Sequence, residues 1–304
     1  MSGAPRAVVV GGAGFVGSHL TERLLAENWA VDVVDDLSCG SLANLAEARA
    51  MPGEMKFHTL DAGSDDFATL VALRPPAVIY HLGLLPPGRD AESVAAASLR
   101  SMATVLEVAR RHAGTKVVVA VSAAALYGDV PARELPLKEG RAWNPAGVRG
   151  IVTRTALDLL ASYREQHAVE YTALAMSEVY GPRQRVDGGV VAGFGQAIVD
   201  GTAPAVRGDG KQTRDFVFVD DAVDALVRAS AKGGGLVVHV GTGVATSLID
   251  LWFMLAGPTG ARPVPHPRTV DDVPRLSLSP TRARIHLAWA PWTDLATGLG
   301  SLDR

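Results

Sequence analysis

A glycine-rich turn, GGAGFVG, occupies residues 11–17 and sets Gly11, Gly14 and Gly17 at three-residue spacing, with Gly12 also satisfying the form G-x-G-x-x-G. Glycines there permit a tight turn and a close approach of the backbone to a pyrophosphate, and a helix opening at that point adds N–H groups and a partial positive charge. Asp35, at the end of the next apolar run, is the matching acidic reader. A carboxylate at that place accepts hydrogen bonds from both ribose hydroxyls and repels a 2′-phosphate, which favours NAD over NADP. Asp36 reads as a solvated neighbour or as a second reader. Asp61, just after a third apolar run, is placed either to meet an adenine edge or simply to close a strand-end turn. The glycine motif alone is weak, and a turn that binds nothing is its plain alternative.

The elements needed to position these residues follow from periodicity. Short β-rich runs at Ala7–Val10, Val31–Val34, Met55–Leu60, Ala77–Leu82 and Lys116–Val121 predict strands, and Ser18–Trp29, Glu92–His112 and Gly147–His167 carry apolar residues at helical spacing. Alternating strands and helices predict βαβ units and a parallel sheet covered on both faces, a doubly wound α/β fold of the Rossmann type. A sixth strand near Glu170–Ala175 is expected to complete the core sheet. From Gly181 the texture changes to glycine and proline punctuation, with shorter strands at Phe216–Val219 and Leu236–Val240 and helices near Asp220–Ala231, Ser247–Leu255 and Pro280–Leu287. This predicts a dinucleotide-binding part over residues 1–178 and a smaller C-terminal α/β substrate lobe over 179–304, with chain crossovers between them.

Bulk properties bound the function class. A chain of 304 residues with 48% apolar content can fill a large core without staples. The formal charge of −3 and the lack of a basic run argue against nucleic acid or an anionic membrane surface as partner. A single cysteine, Cys39, precludes an intramolecular disulfide and suits a reducing cytoplasm. No apolar run is long enough to span a membrane, and no signal-peptide core precedes the first strand. The eight histidines show no metal-ligand spacing and no G-x-S-x-G elbow is present, so no metal site is expected.

Seven stretches carry a more specific signal: VVVGGAGFVGSHL, VVDDLSCGSLANL, VIYHLGLL, VSAAALYGD, EVYGPRQ, GDGKQTRDFVFVDDAVDAL and HVGTGVATSLIDL. In this order and spacing the chain resembles the extended short-chain dehydrogenase/reductase family, specifically its NAD-dependent nucleotide-sugar epimerases and dehydratases. The resemblance covers nearly the whole chain. It implies bound NAD, contacted by Gly11, Gly14, Phe15, Val16, Gly17, Asp35, Asp36, Ser38, Asp61, Ala62, Leu82 and Ser122. It also implies a sugar-nucleotide substrate and a homodimer built from the two long helices.

At the reaction centre the resemblance breaks. The family's serine or threonine, its tyrosine and its lysine fall on Ala123, Ala146 and Gly150, the latter two in the helix-entry stretch WNPAGVRGIVTRTALDLL. An asparagine expected to orient that centre falls on Arg100. The tyrosine normally takes a proton from a sugar hydroxyl while the lysine lowers its pKa, and a positioned base contributes about 10²- to 10⁴-fold in rate. Candidates to replace it are Tyr127, on a loop after the fifth strand, Glu178 and His81. Tyr180 and Arg149 are weaker candidates, Arg149 offering charge but no base, and Tyr163 reads as a packing residue. Glu178 stands where the family carries a diphosphate-binding asparagine, so it reads as an arginine's partner or as the mark of an altered pocket. Arg214 matches a phosphate-binding arginine, Arg268 or Arg275 lies near a second, and Arg207 replaces an aromatic that packs on the nucleotide base. These features leave two readings open: an atypical enzyme with a non-standard acid–base residue, or a non-catalytic NAD- or metabolite-binding member with a regulatory or scaffolding role.

Overall fold

Six strands, β1 (Arg6–Val10), β2 (Ala30–Val34), β3 (Met55–His58), β4 (Val78–His81), β5 (Lys116–Ser122) and β6 (Tyr171–Met176), form a parallel sheet with a seventh, Leu236–Val240. The computed structural model describes residues 4–86, 89–257, 260–267 and 272–302. The spatial order runs from Leu236–Val240 through β6, β5, β4, β1 and β2 to β3. Strands such as AVDVV and KVVVAVS are apolar almost throughout because helices cover both faces. The covering helices are α1 (Phe15–Ala26), α2 (Ala46–Ala50), α3 (Asp65–Leu73), α4 (Ala91–Arg111), α5 (Ala123–Tyr127) and α6 (Gly147–His167). Two buried clusters, one on each side of the sheet, share its strands. The doubly wound fold expected from periodicity is therefore present, and its strand order reverses between β1 and β4, where such sheets open a crevice at their carboxyl ends.

The sixth strand does not complete the sheet. Leu236–Val240 pairs in parallel with β6, from Leu236 opposite Thr172 to Val240 opposite Met176. The chain returns to it through helix Val219–Ala231, which packs against α1. Glycine punctuation on either side of this strand–helix unit gave it the look of the C-terminal lobe, whereas its buried valines extend the main sheet. The remaining C-terminal residues form helices Val190–Val199, Leu248–Ala256, Thr281–His286 and Leu295–Gly300 and short paired strands, among them Glu178–Tyr180 with Phe216–Phe218 and Ala205–Arg207 with Val264–His266. Buried Asp215 joins these segments: its carboxylate accepts from Thr242 N at 2.8 Å, Thr242 Oγ1 at 2.6 Å, Gly243 N at 3.0 Å and Leu278 N at 2.9 Å.

Two boundaries matter for the site. Helix α1 opens at Phe15 rather than Ser18, because extended Gly14 is its N-cap, so the first-turn N–H groups belong to the glycine turn itself. Helix α6 spans Gly147–His167 as its periodicity predicts, with Ala146 as an N-cap that supplies no side-chain bond.

Candidate functional site

A cavity of about 400 Å³ opens at the β1/β4 reversal. It is lined by Gly11, Gly14, Phe15, Val16, Gly17, Asp35, Asp36, Ser38, Asp61, Ala62 and Leu82, so all the expected cofactor residues but Ser122 converge there. Ser122 instead caps α5, its Oγ accepting from Ala125 N at 3.3 Å. The cradle has no room for side chains. Gly11 sits at φ +77, and a Cβ at Gly17 would collide with the Gly11 carbonyl oxygen. Such a backbone fits a pyrophosphate against a helix N-terminus.

The Asp35 carboxylate is held in place by the backbone around it. Oδ2 accepts from Ala13 N at 2.9 Å and Oδ1 from Leu37 N at 2.8 Å. Burial pushes its pKa up and these two N–H groups oppose the shift. Gly40 is needed beside it, since a Cβ there would lie 2.7 Å from Asp35 Oδ1. Asp36 and Asp61 are exposed and close local turns onto Ser38 N at 2.9 Å and Gly63 N at 2.8 Å. The cavity thus fits a dinucleotide, and the backbone-held Asp35 carboxylate lines it.

One wall escaped the reading from sequence. Ser93, Val94, Ala97, Ser98 and Ser101 line the cavity from α4, and Gln184, Arg185 and Gly188 line it from the segment after Tyr180. The recurrence at 94, 97–98 and 101 is one helical face, a signal present in the sequence but masked by the alanines around it. Arg100, placed by resemblance at the site, is exposed and rests against Gly63. His81 also lines the cavity from the end of β4 and is fully buried, its Nε2 3.0 Å from Ser101 Oγ. Ser101 donates its own proton to Ser98 O at 3.0 Å, so His81 donates through Nε2 and its buried Nδ1 has no protein partner. Burial lowers the His81 pKa to about 4, which keeps the ring neutral.

Tyr127 is not on a loop. It ends α5, is fully buried, and its hydroxyl lies 2.8 Å from His239 Nε2 on the seventh strand. His239 Nδ1 donates to Leu137 O at 3.1 Å, and burial lowers the ring's pKa. The phenol therefore donates to His239, and burial pushes its pKa up to about 12. Its proton is committed away from the cavity. Tyr180 is likewise buried, its pKa raised by desolvation. Tyr163 packs edge-on against His167 at 5.3 Å. Arg149 donates to two backbone carbonyls, Leu85 O at 2.9 Å and Arg89 O at 2.8 Å.

Where the resemblance places the family's serine, tyrosine and lysine, Ala123 is the fully buried first residue of α5 and Gly150 is packed closely in α6. A Cβ on Gly150 would lie 2.7 Å from the Ala125 carbonyl oxygen and 2.9 Å from Pro145 Cβ. The backbone has closed over the place a lysine would need.

Of the expected substrate residues, Glu178 and Arg214 come together electrostatically: burial raises the Glu178 pKa and the Arg214 charge opposes it. Arg214 Nη1 also donates to Val273 O at 2.7 Å and Thr213 O at 2.9 Å. Arg275 donates to Val130 O at 3.3 Å and borders a second hollow of about 350 Å³ with Lys211 and Gln212. Arg207 is exposed and pairs with Asp272 at 3.3 Å. Arg268 lies outside the described residues. Among the described residues no cluster of His, Cys, Asp and Glu could hold a metal, and no helix is long and apolar enough to cross a membrane.

A doubly wound sheet whose reversal point holds a glycine cradle and a backbone-held aspartate defines a dinucleotide-binding protein of the Rossmann class. The chain belongs to the NAD dependent epimerase/dehydratase family, which it matches over residues 7–241. It is 38% identical over 303 residues to a UDP-glucose 4-epimerase of Mycolicibacterium smegmatis, across 97% of this chain and 96% of that protein. Among solved structures, a UDP-glucose 4-epimerase of Thermotoga maritima with UDP-glucose superposes with a TM-score of 0.89 at 29% identity, covering 97% of this chain and 96% of that one. A Thermus thermophilus UDP-glucose 4-epimerase in complex with NAD gives 0.85 at 25% identity, covering 97% and 96%. NAD is thus the cofactor of the family to which the cradle belongs.

Proposed function

We propose that the protein holds NAD in the β1/β4 cavity and acts on a sugar nucleotide, or a related hydroxylated metabolite, through a proton route different from that of its family. The carrying observation is the contrast between the two ends of the site. The cradle, Asp35 and the α4 wall are assembled around a cavity of dinucleotide size, whereas Ala123, Ala146 and Gly150 offer no proton donor or acceptor. When bound, NAD supplies a hydride acceptor. By resemblance Arg214, with Arg268 or Arg275, supplies positive charge for the phosphates of a nucleotide, and Arg207 stands where an aromatic would pack on its base.

Among the candidates for the missing base, Glu178 fits best. The Tyr127 hydroxyl is engaged in its hydrogen bond to His239, and His81 is too weak a base at neutral pH. Burial shifts the Glu178 carboxyl upward, against the opposing charge of Arg214, which makes it a stronger base than an exposed carboxylate. The same reading takes residues 1–178 as the cofactor part and 179–304 as the substrate part, with Val219–Val240 crossing back, in a homodimer that works in the cytoplasm.

A second reading, a non-catalytic NAD- or metabolite-binding role in regulation or scaffolding, is favoured by one observation: the 2.7 Å approach of a Gly150 Cβ to Ala125 O. One experiment separates the two. Purified protein loaded with NAD is mixed with a panel of UDP-sugars while the near-ultraviolet absorbance of reduced nicotinamide is followed. A transient in the wild type that is lost in Glu178→Gln supports the proposal. NAD that stays bound and oxidised with every sugar supports the second reading.

A further inference from the structure

Arg149 stands where helix physics disfavours it. It is the third residue of α6, at the positive end of the helix dipole, a place that favours an acid over a cation. Its guanidinium reaches the segment between β4 and α4, with Nη1 2.9 Å from Leu85 O and Nη2 2.8 Å from Arg89 O. Leu85 has φ +51, a left-handed backbone that a non-glycine residue keeps only when its surroundings impose it. Those surroundings are visible. The Leu85 side chain is buried in a small cluster with Val94 of α4 and Val152 of α6, and its N–H donates to Ser98 Oγ at 3.2 Å. Pro86, Arg89 and Ser98 all line the cavity. Leu85 is therefore tied to α4 through its N–H and to α6 through its carbonyl.

We infer that Arg149 is a positioning residue for the dinucleotide: its forked bonds tie the α4-side wall of the cavity to the start of α6, and so slow the escape of bound NAD. It stands next to Gly150, the position on which the family's lysine falls. The geometry suits arginine in particular, because one planar fork reaches two carbonyls at once, which a lysine ammonium cannot match. The inference rests on the reading that the cavity takes NAD.

Stopped-flow displacement of NAD from the full-length protein tests it, with Arg149→Ala and Arg149→Lys compared with wild type. Losing one or two charge-assisted hydrogen bonds predicts release about 10- to 100-fold faster in Arg149→Ala. Arg149→Lys is expected to fall between the two, since an ammonium keeps one of the bonds. Hydrogen exchange at the Leu85 amide should quicken in the same order, while exchange in the strands of the main sheet stays at the wild-type rate. A general loss of fold would move all of these amides together. If Arg149→Ala does not fold, Ser98→Ala removes the other tether of Leu85 and is expected to hasten NAD release as well. NAD held equally long by wild type and by these variants overturns the positioning role alone. A wild type that binds no NAD overturns the reading of the cavity, and the positioning role with it.

Discussion

Gly150 provides a test in which one chemical change has opposite effects at two sites. In Gly150→Ala the new methyl meets the Ala125 carbonyl oxygen at 2.7 Å and Pro145 Cβ at 2.9 Å. In Gly195→Ala, inside helix Val190–Val199, nothing lies within 4 Å of the new methyl. Both substitutions gain about 1 kcal/mol of helix propensity. At Gly150 this gain is set against an overpacking cost of about 1–3 kcal/mol, because the obstacle is backbone and cannot swing aside. Gly195→Ala should therefore stabilise by about 1 kcal/mol, and Gly150→Ala should range from about neutral to about 2 kcal/mol destabilising. The expected difference is about 1–3 kcal/mol. With a urea m-value of about 3 kcal/mol per M, the unfolding midpoints should differ by about 0.3–1 M. Urea denaturation followed by circular dichroism reads this directly. Gly150→Ala matching or exceeding Gly195→Ala in midpoint would refute the claim that the backbone has closed over the lysine position.

Other outcomes follow from the same geometry. Rebuilding the family pair with Ala146→Tyr and Gly150→Lys should not produce turnover of a UDP-sugar, because the lysine cannot enter without moving α5; activity in a steady-state assay would show that the start of α6 can yield. Tyr127→Phe leaves the buried His239 Nε2 without its donor and should cost about 1–3 kcal/mol in chemical denaturation, while NAD retention stays as in wild type. Glu178→Gln should alter the pH dependence of stability. The folded-state pKa of Glu178 is raised above its ordinary value of 4.5, so the native state holds more protons than the unfolded chain in the window above that value. Stability is then full below this window and falls as pH rises through the folded pKa. The glutamine variant, measured by urea midpoints across pH, should lose that decline and gain stability near neutrality; an unchanged profile would count against burial as the cause of the shift.

The parts of the fold legible in the sequence were those governed by local periodicity. Helix α6 and strand Leu236–Val240 match their expected spans, because each carries an uninterrupted apolar pattern with clear punctuation. The pairing of that strand with β6 was not legible, since it depends on a crossover by helix Val219–Ala231 that no local signal announces. That the glycine turn and Asp35 meet at one cavity was readable, because a tight turn and an acidic strand end each show as a particular residue type at a set spacing. Ser98, Ser101 and Arg185 were not, because serine and arginine occur on any solvated face and only their convergence gives them meaning. Tyr127 illustrates the opposite case. Its motif context suggested chemistry, while the partner that occupies its hydroxyl, His239, lies more than a hundred residues along the chain.

The central claim is that the β1/β4 cavity is a working NAD site in a protein whose usual acid–base set is gone. Calorimetric titration of nucleotide-stripped wild type with NAD and with NADP, repeated on Asp35→Ala, tests it most directly. The account predicts saturable binding of NAD, much weaker binding of NADP because the Asp35 carboxylate faces the 2′-position, and a marked loss of NAD affinity in the variant. Failure of NAD to bind at any concentration, or equal binding of both nucleotides regardless of Asp35, would contradict it.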